Sequence, residues 1–215
     1  MFTGIVQATC LFKIITQKSD LLVYAIQLSP KLISNLSLGA SVSVSGICQT
    51  VVKIDLDANL AYFEAIAETL SCTTLNDLKT NDWVNIERSL KFGDEVGGHL
   101  LSGHIIDTVK INQIQNTPTH IMMTFEVNPK LLKYILHKGY VALDGCSLTV
   151  VNPNLNTATF DVCLIPETIK ITTFGTKKIG DRVNLEIDNQ TQIIVHTVEN
   201  YLKTDINHFK QRIIS

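Results

Sequence analysis

"ETLSCTTLNDLKTNDWVNIE", residues 68–87, is written a second time as "ETIKITTFGTKKIGDRVNLE" at residues 167–186, with 9 identities in 20 positions. Unrelated sequence at average residue usage would share roughly one. The same offset of 99 aligns "PKL" at 30 with "PKL" at 129, "GICQTVV" at 46–52 with "GCSLTVV" at 145–151, and Gly4 of "FTGIV" with Gly103 of "LSGHI". A repeat of this length is one supersecondary unit used twice. The 215 residues therefore divide into a first unit at 1–97, a second at 98–190 and a tail at 191–215 with no counterpart. Between the units, the glycines of "KFGDEVGGHLLSGH" (91–104) suit a turn-rich crossing.

Within each unit the short runs rich in Val, Ile, Thr and aromatics read as about six strands. Alternation in "ASVSVSG" (40–46) turns Val42 and Val44 inward and the serines outward. "SPKLISNLSLG" and "NPKLLKYILHKG" each carry Pro at an allowed helix start and Gly past the end, which predicts a short helix before the third strand. No long helix is available to cross between parallel strands. The fold class is all-β: two tandem six-stranded antiparallel barrels, closed so that no edge is left open, plus a C-terminal α-helix.

Hydrophobic residues make up 45% and charged residues 18% of the chain, enough for a core and without the signature of disorder. A net charge of -2 with interspersed signs gives no footprint for nucleic acid or an anionic membrane. No targeting segment or membrane-length apolar run is read, so a cytoplasmic protein is expected. Cys10, Cys48, Cys72, Cys146 and Cys163 form no CxxC pair and have no histidine at zinc-ligand spacing, which predicts free thiols and no metal. In the tail, Ile194, Val198, Leu202, Ile206, Phe209 and Ile213 recur at steps of three or four, one helical face. That face has two readings: packing on its own barrel, or a seam between subunits.

"MFTGIV" at 1–6, "GICQTV", "ETL" with "TTL", "GDEVGGHLLSGHI", "GCSLTVV" and "LIPETI", in that order, resemble the riboflavin synthase family of alpha-chain type over essentially the whole chain. The resemblance implies Greek-key barrels that each bind one lumazine and a C-terminal helix that holds a homotrimer, which favours the seam. It implies a reaction without metal or organic cofactor, in which two molecules of 6,7-dimethyl-8-ribityllumazine exchange a four-carbon unit. The products are riboflavin and 5-amino-6-ribitylaminopyrimidinedione, and the site forms between the first barrel of one subunit and the second barrel of a neighbour. Two similar pockets brought face to face suit identical reactants that must meet in opposed poses.

By itself Cys48 reads as a small core hydrophobe; the family motif places its thiol in the first pocket and Ser147 in the second. Thr50 and Thr149 follow two positions on, on the same strand face. Gly4, Ile5 and Val6, with Gly103, His104 and Ile105, match the other recurring edge, where glycine lets a ligand approach the backbone. His104 stands where the first unit has Ile5 and matches a family active-site histidine, a proton-transfer group near neutral pH. His99 is a lesser candidate that also reads as support for the linker. Lys138 matches a shared-site cation and Ser41 a pocket serine, although both also read as solvated side chains. Glu64, Ala65, Ile66, Ala67, Glu68 and Thr69, with Cys163, Leu164, Ile165, Pro166, Glu167 and Thr168, match stretches whose backbone and terminal Thr hold heterocycle and ribityl chain. Glu68 and Glu167 also read as structural.

Glu186, in "VNLEID", is a candidate for a hydrogen bond to the ribityl chain or for anchoring His104, although the repetition of Glu87 at Glu186 argues for structure there. Asp188, which faces Ser89 and breaks the repeat, is a candidate for binding ribityl or anchoring His104. Gln49, beside Cys48, and Leu148, beside Ser147, complete the matched segments. Gln49 stands where the family has Leu, and Ile47 where another Cys is common; alternation turns the Gln49 side chain away from the pocket. The alternative to an enzyme is a non-catalytic carrier of lumazine or flavin. Retention of Cys48, His104, Lys138, Ser147 and Thr149 favours the enzyme, and a flavin-dependent oxidoreductase lacks any GxGxxG fingerprint.

Overall fold

A computed structural model describes the backbone of residues 1–214 and the side chains of residues 1–204. The first unit forms β1 (Ala8–Gln17), β2 (Leu21–Gln27), β3 (Ser41–Val44), β4 (Ile47–Thr50), β5 (Lys53–Asp55), β6 (Leu60–Ile66) and β7 (Trp83–Arg88), in the order β4-β3-β7-β1-β2-β6-β5. The second forms β8 (Asp107–Asn116), β9 (Ile121–Glu126), β10 (Tyr140–Leu143), β11 (Cys146–Asn154), β12 (Thr159–Leu164) and β13 (Arg182–Ile187), a closed barrel in the order β10-β11-β12-β9-β8-β13. Every pairing is antiparallel. The single strand β11 corresponds to β4 and β5 together, which are interrupted at Val51 and Val52. Backbone bonds from Val51 N to Ala40 O and from Val52 N to Tyr62 O, each 2.9 Å, carry the chain across that break.

Each barrel has its own core. In the first, Tyr24 stacks between Phe12 and Phe63, with ring centroids 4.8 and 5.4 Å away. A phenol buried there needs a partner, and Gln49 provides it: Tyr24 Oη donates to Gln49 Oε1 at 2.9 Å. Val42 and Val44 point into the same core. Ser43 faces the other way yet is buried, because that face meets the second barrel.

The two barrels are joined by a crossed pair of asparagines. Asn85 Nδ2 donates to Asp144 O (2.9 Å) and its Oδ1 accepts from Thr173 N (2.8 Å). Asn184, 99 positions on, does the same with Ser45 O (2.9 Å) and Thr74 N (2.8 Å). Both asparagines are 1% exposed or less, so the seam satisfies its polar groups reciprocally.

The predicted short helix forms in the first unit as α1 (Pro30–Ile33), capped by Ser29 Oγ on Leu32 N. In the second it does not: only a 3-10 turn at Leu132–Tyr134 is present. There Asn128 closes tighter turns, accepting Leu131 N on its carbonyl (2.8 Å) and Lys130 N on Oδ1 (3.1 Å). Two helical turns absent from the sequence reading, α2 (Ala67–Cys72) and α3 (Pro166–Ile171), lead into β7 and β13 through 3-10 turns. Thr73 and Thr172 make these corners, each hydroxyl donating to the carbonyl four residues back (2.7 and 2.6 Å) and accepting an amide two residues on (3.3 Å).

The tail is one helix, α4 (Asn189–Ile214). Its first turns sit on the second barrel through Val195, a Tyr134–His196 hydrogen bond and a Lys133–Glu199 ion pair at 2.7 Å. Ile194, Val198 and Leu202 remain exposed. Ile206, Phe209 and Ile213, which continue that face in the sequence, lie outside the described side chains. No described helix is long and apolar enough to cross a membrane.

Candidate active site

The N-terminal arms of the two units are exchanged. Phe2 and Leu101 form a reciprocal bridge, each amide bonded to the other's carbonyl at 2.9 Å, so the arms pass each other and continue onto the opposite barrel. Gly4 O accepts Ser147 N at 2.8 Å, and Gly103 O accepts Cys48 N at 2.9 Å. Val6 accordingly belongs to the core of the second barrel, and Ile105 packs against the first. Both glycines have positive φ, 75° and 81°, and a side-chain carbon would lie 2.5 Å from Ser147 Cβ or Cys48 Cβ. Only glycine permits that backbone and that approach.

Each arm is held by a buried glutamate. Glu87 Oε1 accepts from Thr3 N (2.6 Å) and Thr3 Oγ1 (2.8 Å), while Oε2 accepts from Gly4 N (3.1 Å). Glu186 repeats this with Ser102 N and Oγ (2.7 Å each) and Gly103 N (3.0 Å). Burial pushes both carboxyls above the usual range, and these hydrogen bonds oppose the shift in part. The sequence reading of Glu87 and Glu186 as structural agrees with this geometry, but the exchange itself was missed. The repeated hydroxyls Thr3 and Ser102, at the same offset as the glutamates, were a signal for these clamps but not for the exchange.

Two equivalent surfaces result. The first carries Cys48 and Thr50 on β4 beside Gly103, His104 and Ile105 of the exchanged arm. The second carries Ser147 and Thr149 on β11 beside Gly4, Ile5 and Val6. Cys48 and Ser147 are half-buried, whereas Thr50, Thr149, His104 and Ile5 are exposed. Thr50 pairs with Ser41, and Thr149 with Tyr140. Gln49 and Leu148 turn into the barrels, leaving only backbone to the surface.

Glu64, Ala65 and Ile66 end β6, and Ala67, Glu68 and Thr69 begin α2; Cys163 and Leu164 end β12, and Pro166, Glu167 and Thr168 begin α3 after Ile165. Ala65 and Leu164 are core residues, while Ile66 and Ile165, the residues before each helix, are 59% and 58% exposed and cap it with no side chain. Lys138 is exposed at a turn of positive φ, bonded through its amide to Val150 O at 2.9 Å. Asp188 stands at the start of α4. Its Oδ2 caps α4, accepting Thr191 N (2.9 Å) and Oγ1 (2.7 Å), and among the described residues no hydrogen bond joins it to His104.

The five thiols are free, and they are chemically distinct. Cys146, one position before Ser147, is turned into the core, where burial first, then Glu87 and Asp144, push it up to about 12. Cys10 is likewise pushed up to about 11 by burial. Neither supplies thiolate near neutral pH, which leaves Cys48 as the half-buried thiol beside an arm.

These features define a class: a duplicated antiparallel barrel presenting two related surfaces, each completed by the other unit's arm. The chain belongs to the lumazine-binding family, whose Lumazine binding domain model matches residues 3–89 and 102–188. It is 45% identical over 212 residues to riboflavin synthase of Escherichia coli (strain K12), covering 98% of both chains. It is 43% identical over 208 residues to riboflavin synthase of Buchnera aphidicola subsp. Schizaphis graminum (strain Sg), covering 96% of this chain and 98% of that one. The riboflavin synthase of Chlamydia pneumoniae is 40% identical over 205 residues, with 94% and 97% covered. Among solved structures, LumP complexed with riboflavin superposes with a TM-score of 0.79 at 24% identity, covering 88% of this chain and all of that one. LumP complexed with 6,7-dimethyl-8-(1'-D-ribityl) lumazine gives 0.78 at 23%. At such identity these two share the fold.

Proposed function

We propose that the chain has riboflavin synthase activity. It converts two molecules of 6,7-dimethyl-8-ribityllumazine into riboflavin and 5-amino-6-ribitylaminopyrimidinedione by four-carbon transfer. The observation that carries this reading is 45% identity to a riboflavin synthase across 98% of both chains. Paired surfaces of related composition support it, since the two reactants are the same molecule. No metal or organic cofactor takes part, and the enzyme works in the cytoplasm.

In this reading residues 1–97 and 98–190 are the two lumazine-binding domains and 191–215 assembles a homotrimer. The exposed row Ile194, Val198 and Leu202 supports that assignment of the tail. The working site joins the first barrel of one subunit to the second barrel of a neighbour. Cys48 and Ser147 contact the two heterocycles, and Cys48 is the better nucleophile. His104 takes the proton that leaves the methyl at ring position 7. Thr50, Thr149 and Ser41 offer hydroxyls, Lys138 meets oxygen that gains negative charge, and the amides at 64–69 and 163–168 hold ring and ribityl chain. Incubation with 6,7-dimethyl-8-ribityllumazine alone tests the activity: one riboflavin should appear for every two lumazines consumed. Tight binding without flavin would make the chain a carrier instead.

A further inference from the structure

Both backbone polar groups of Cys48 are tied down. Its amide donates to Gly103 O of the exchanged arm at 2.9 Å, and its carbonyl accepts from Gln49 Nε2 at 3.0 Å. The same carboxamide accepts from Tyr24 Oη through Oε1 at 2.9 Å. Two hydrogen bonds thus run from a phenol that is 0% exposed, through a glutamine that is 6% exposed, to the residue carrying the half-buried thiol. We propose that Gln49 and Tyr24 are positioning residues for Cys48: the phenol orients the carboxamide, the carboxamide holds the Cys48 carbonyl, and the thiol is presented in one direction to the ligand of the first barrel.

Only one orientation of the carboxamide makes both bonds. A carbonyl can only accept, so Nε2 faces Cys48, Oε1 faces the phenol, and the phenol donates. Phe12 and Phe63 stack on the Tyr24 ring and fix its direction. Burial pushes the phenol well above its ordinary value, so it keeps the proton it donates. The second barrel shows that its core packs without such a pair. There Met123 stands in the place of Tyr24 and Leu148 in the place of Gln49, both in the apolar core, and neither offers a donor to the Ser147 carbonyl. The polar pair occurs only behind the thiol. A buried network with its members satisfied specifies one arrangement, and a nucleophile that has to reach a ring carbon gains most from being held in one.

This role rests on the proposed activity and deepens it. The test compares the parent with the apolar double variant Tyr24→Phe/Gln49→Leu, which removes both core partners together and so should keep a denaturant midpoint close to the parent's. Its kcat should nevertheless fall by about tenfold or more, the scale on which misplaced groups act, with a smaller change in KM. Iodoacetamide alkylation, read by mass spectrometry, should become severalfold faster at Cys48 and stay unchanged at Cys163, the exposed thiol of the other barrel. On a Cys48→Ser background the double change should cost no further turnover. A stable double variant with parental kcat and a parental alkylation rate at Cys48 would reduce the pair to core packing, and losses additive with Cys48→Ser would show that it does not act through the thiol. Should the double variant fail to fold, Tyr24→Phe alone, which loses one hydroxyl, is judged by the same two readings. If the parent chain forms no flavin, the activity proposal fails on its own, and the alkylation rates still decide whether the pair holds Cys48.

Discussion

Cys48 and Ser147 occupy one place in the repeat, and only the first carries sulfur. A cysteine is also present in the second repeat, as Cys146, but one position earlier on the strand it faces the core and is pushed up to about 12. A one-residue step along a strand exchanges pocket for core. Cys48→Ser should therefore lower turnover of 6,7-dimethyl-8-ribityllumazine about tenfold or more while leaving lumazine affinity within a few-fold, since a hydroxyl is the poorer nucleophile; unchanged turnover would make the sulfur dispensable. Glu87 gives a second prediction. Its folded pKa is raised above the ordinary 4.5, so its contribution to stability is fully present below that value and is lost as pH rises through the folded pKa. Denaturant titrations of the parent and of Glu87→Gln, compared from pH 4.5 upward, should show the parent losing stability relative to the variant. A gap that narrows in the opposite sense would mean that the arm's hydrogen bonds outweigh burial.

At the scale of elements, the exchanged arms make each barrel's surface depend on the other unit's glycine. Alanine at a positive φ costs about 1–2 kcal/mol, and at these two positions its methyl would also collide with backbone. Gly4→Ala should thus weaken lumazine binding at the second barrel, beside Ser147, and Gly103→Ala at the first, beside Cys48. Ligand titrations followed by NMR shifts of the two strands would separate the sites, and an effect on the same-unit barrel would refute the exchange. The repeat and the strands were legible in the sequence because they recur at one fixed offset. The exchange was not, because a Thr-Gly or Ser-Gly arm carries the same local pattern whichever barrel it crosses to. The missing second helix was likewise hidden: Pro129 and Gly139 read like Pro30 and Gly39 plus one, while the turn bonds to Asn128 stand where the first unit has the Ser29 cap. For α4, ending the chain at Ile194 should yield monomers with little activity, measured by sedimentation and turnover together; an active monomer would count against a site shared between subunits.

Over the whole molecule, the crossed asparagines make the two barrels one cooperative body. Asn85→Ala would strand the buried Thr173 amide and Asp144 carbonyl, and Asn184→Ala the Thr74 amide and Ser45 carbonyl. Each unsatisfied group costs about 1–3 kcal/mol, so either substitution, stranding two, should remove about 2–6 kcal/mol, read as a lower denaturant midpoint. Stability alone does not isolate the seam, but the placement of the one tryptophan does. Trp83 lies on β7 of the first barrel in a cleft also lined by Asp144, Thr173 and Arg182 of the second, so its fluorescence reports the seam while circular dichroism follows both barrels. In the parent chain the two signals should unfold together, as for a single cooperative transition. In the double variant each barrel keeps its own core while the seam has lost four of its hydrogen bonds, and the two curves should separate. Curves that stay superimposed in the double variant would place the coupling elsewhere, in the Phe2–Leu101 bridge and the arms it carries across.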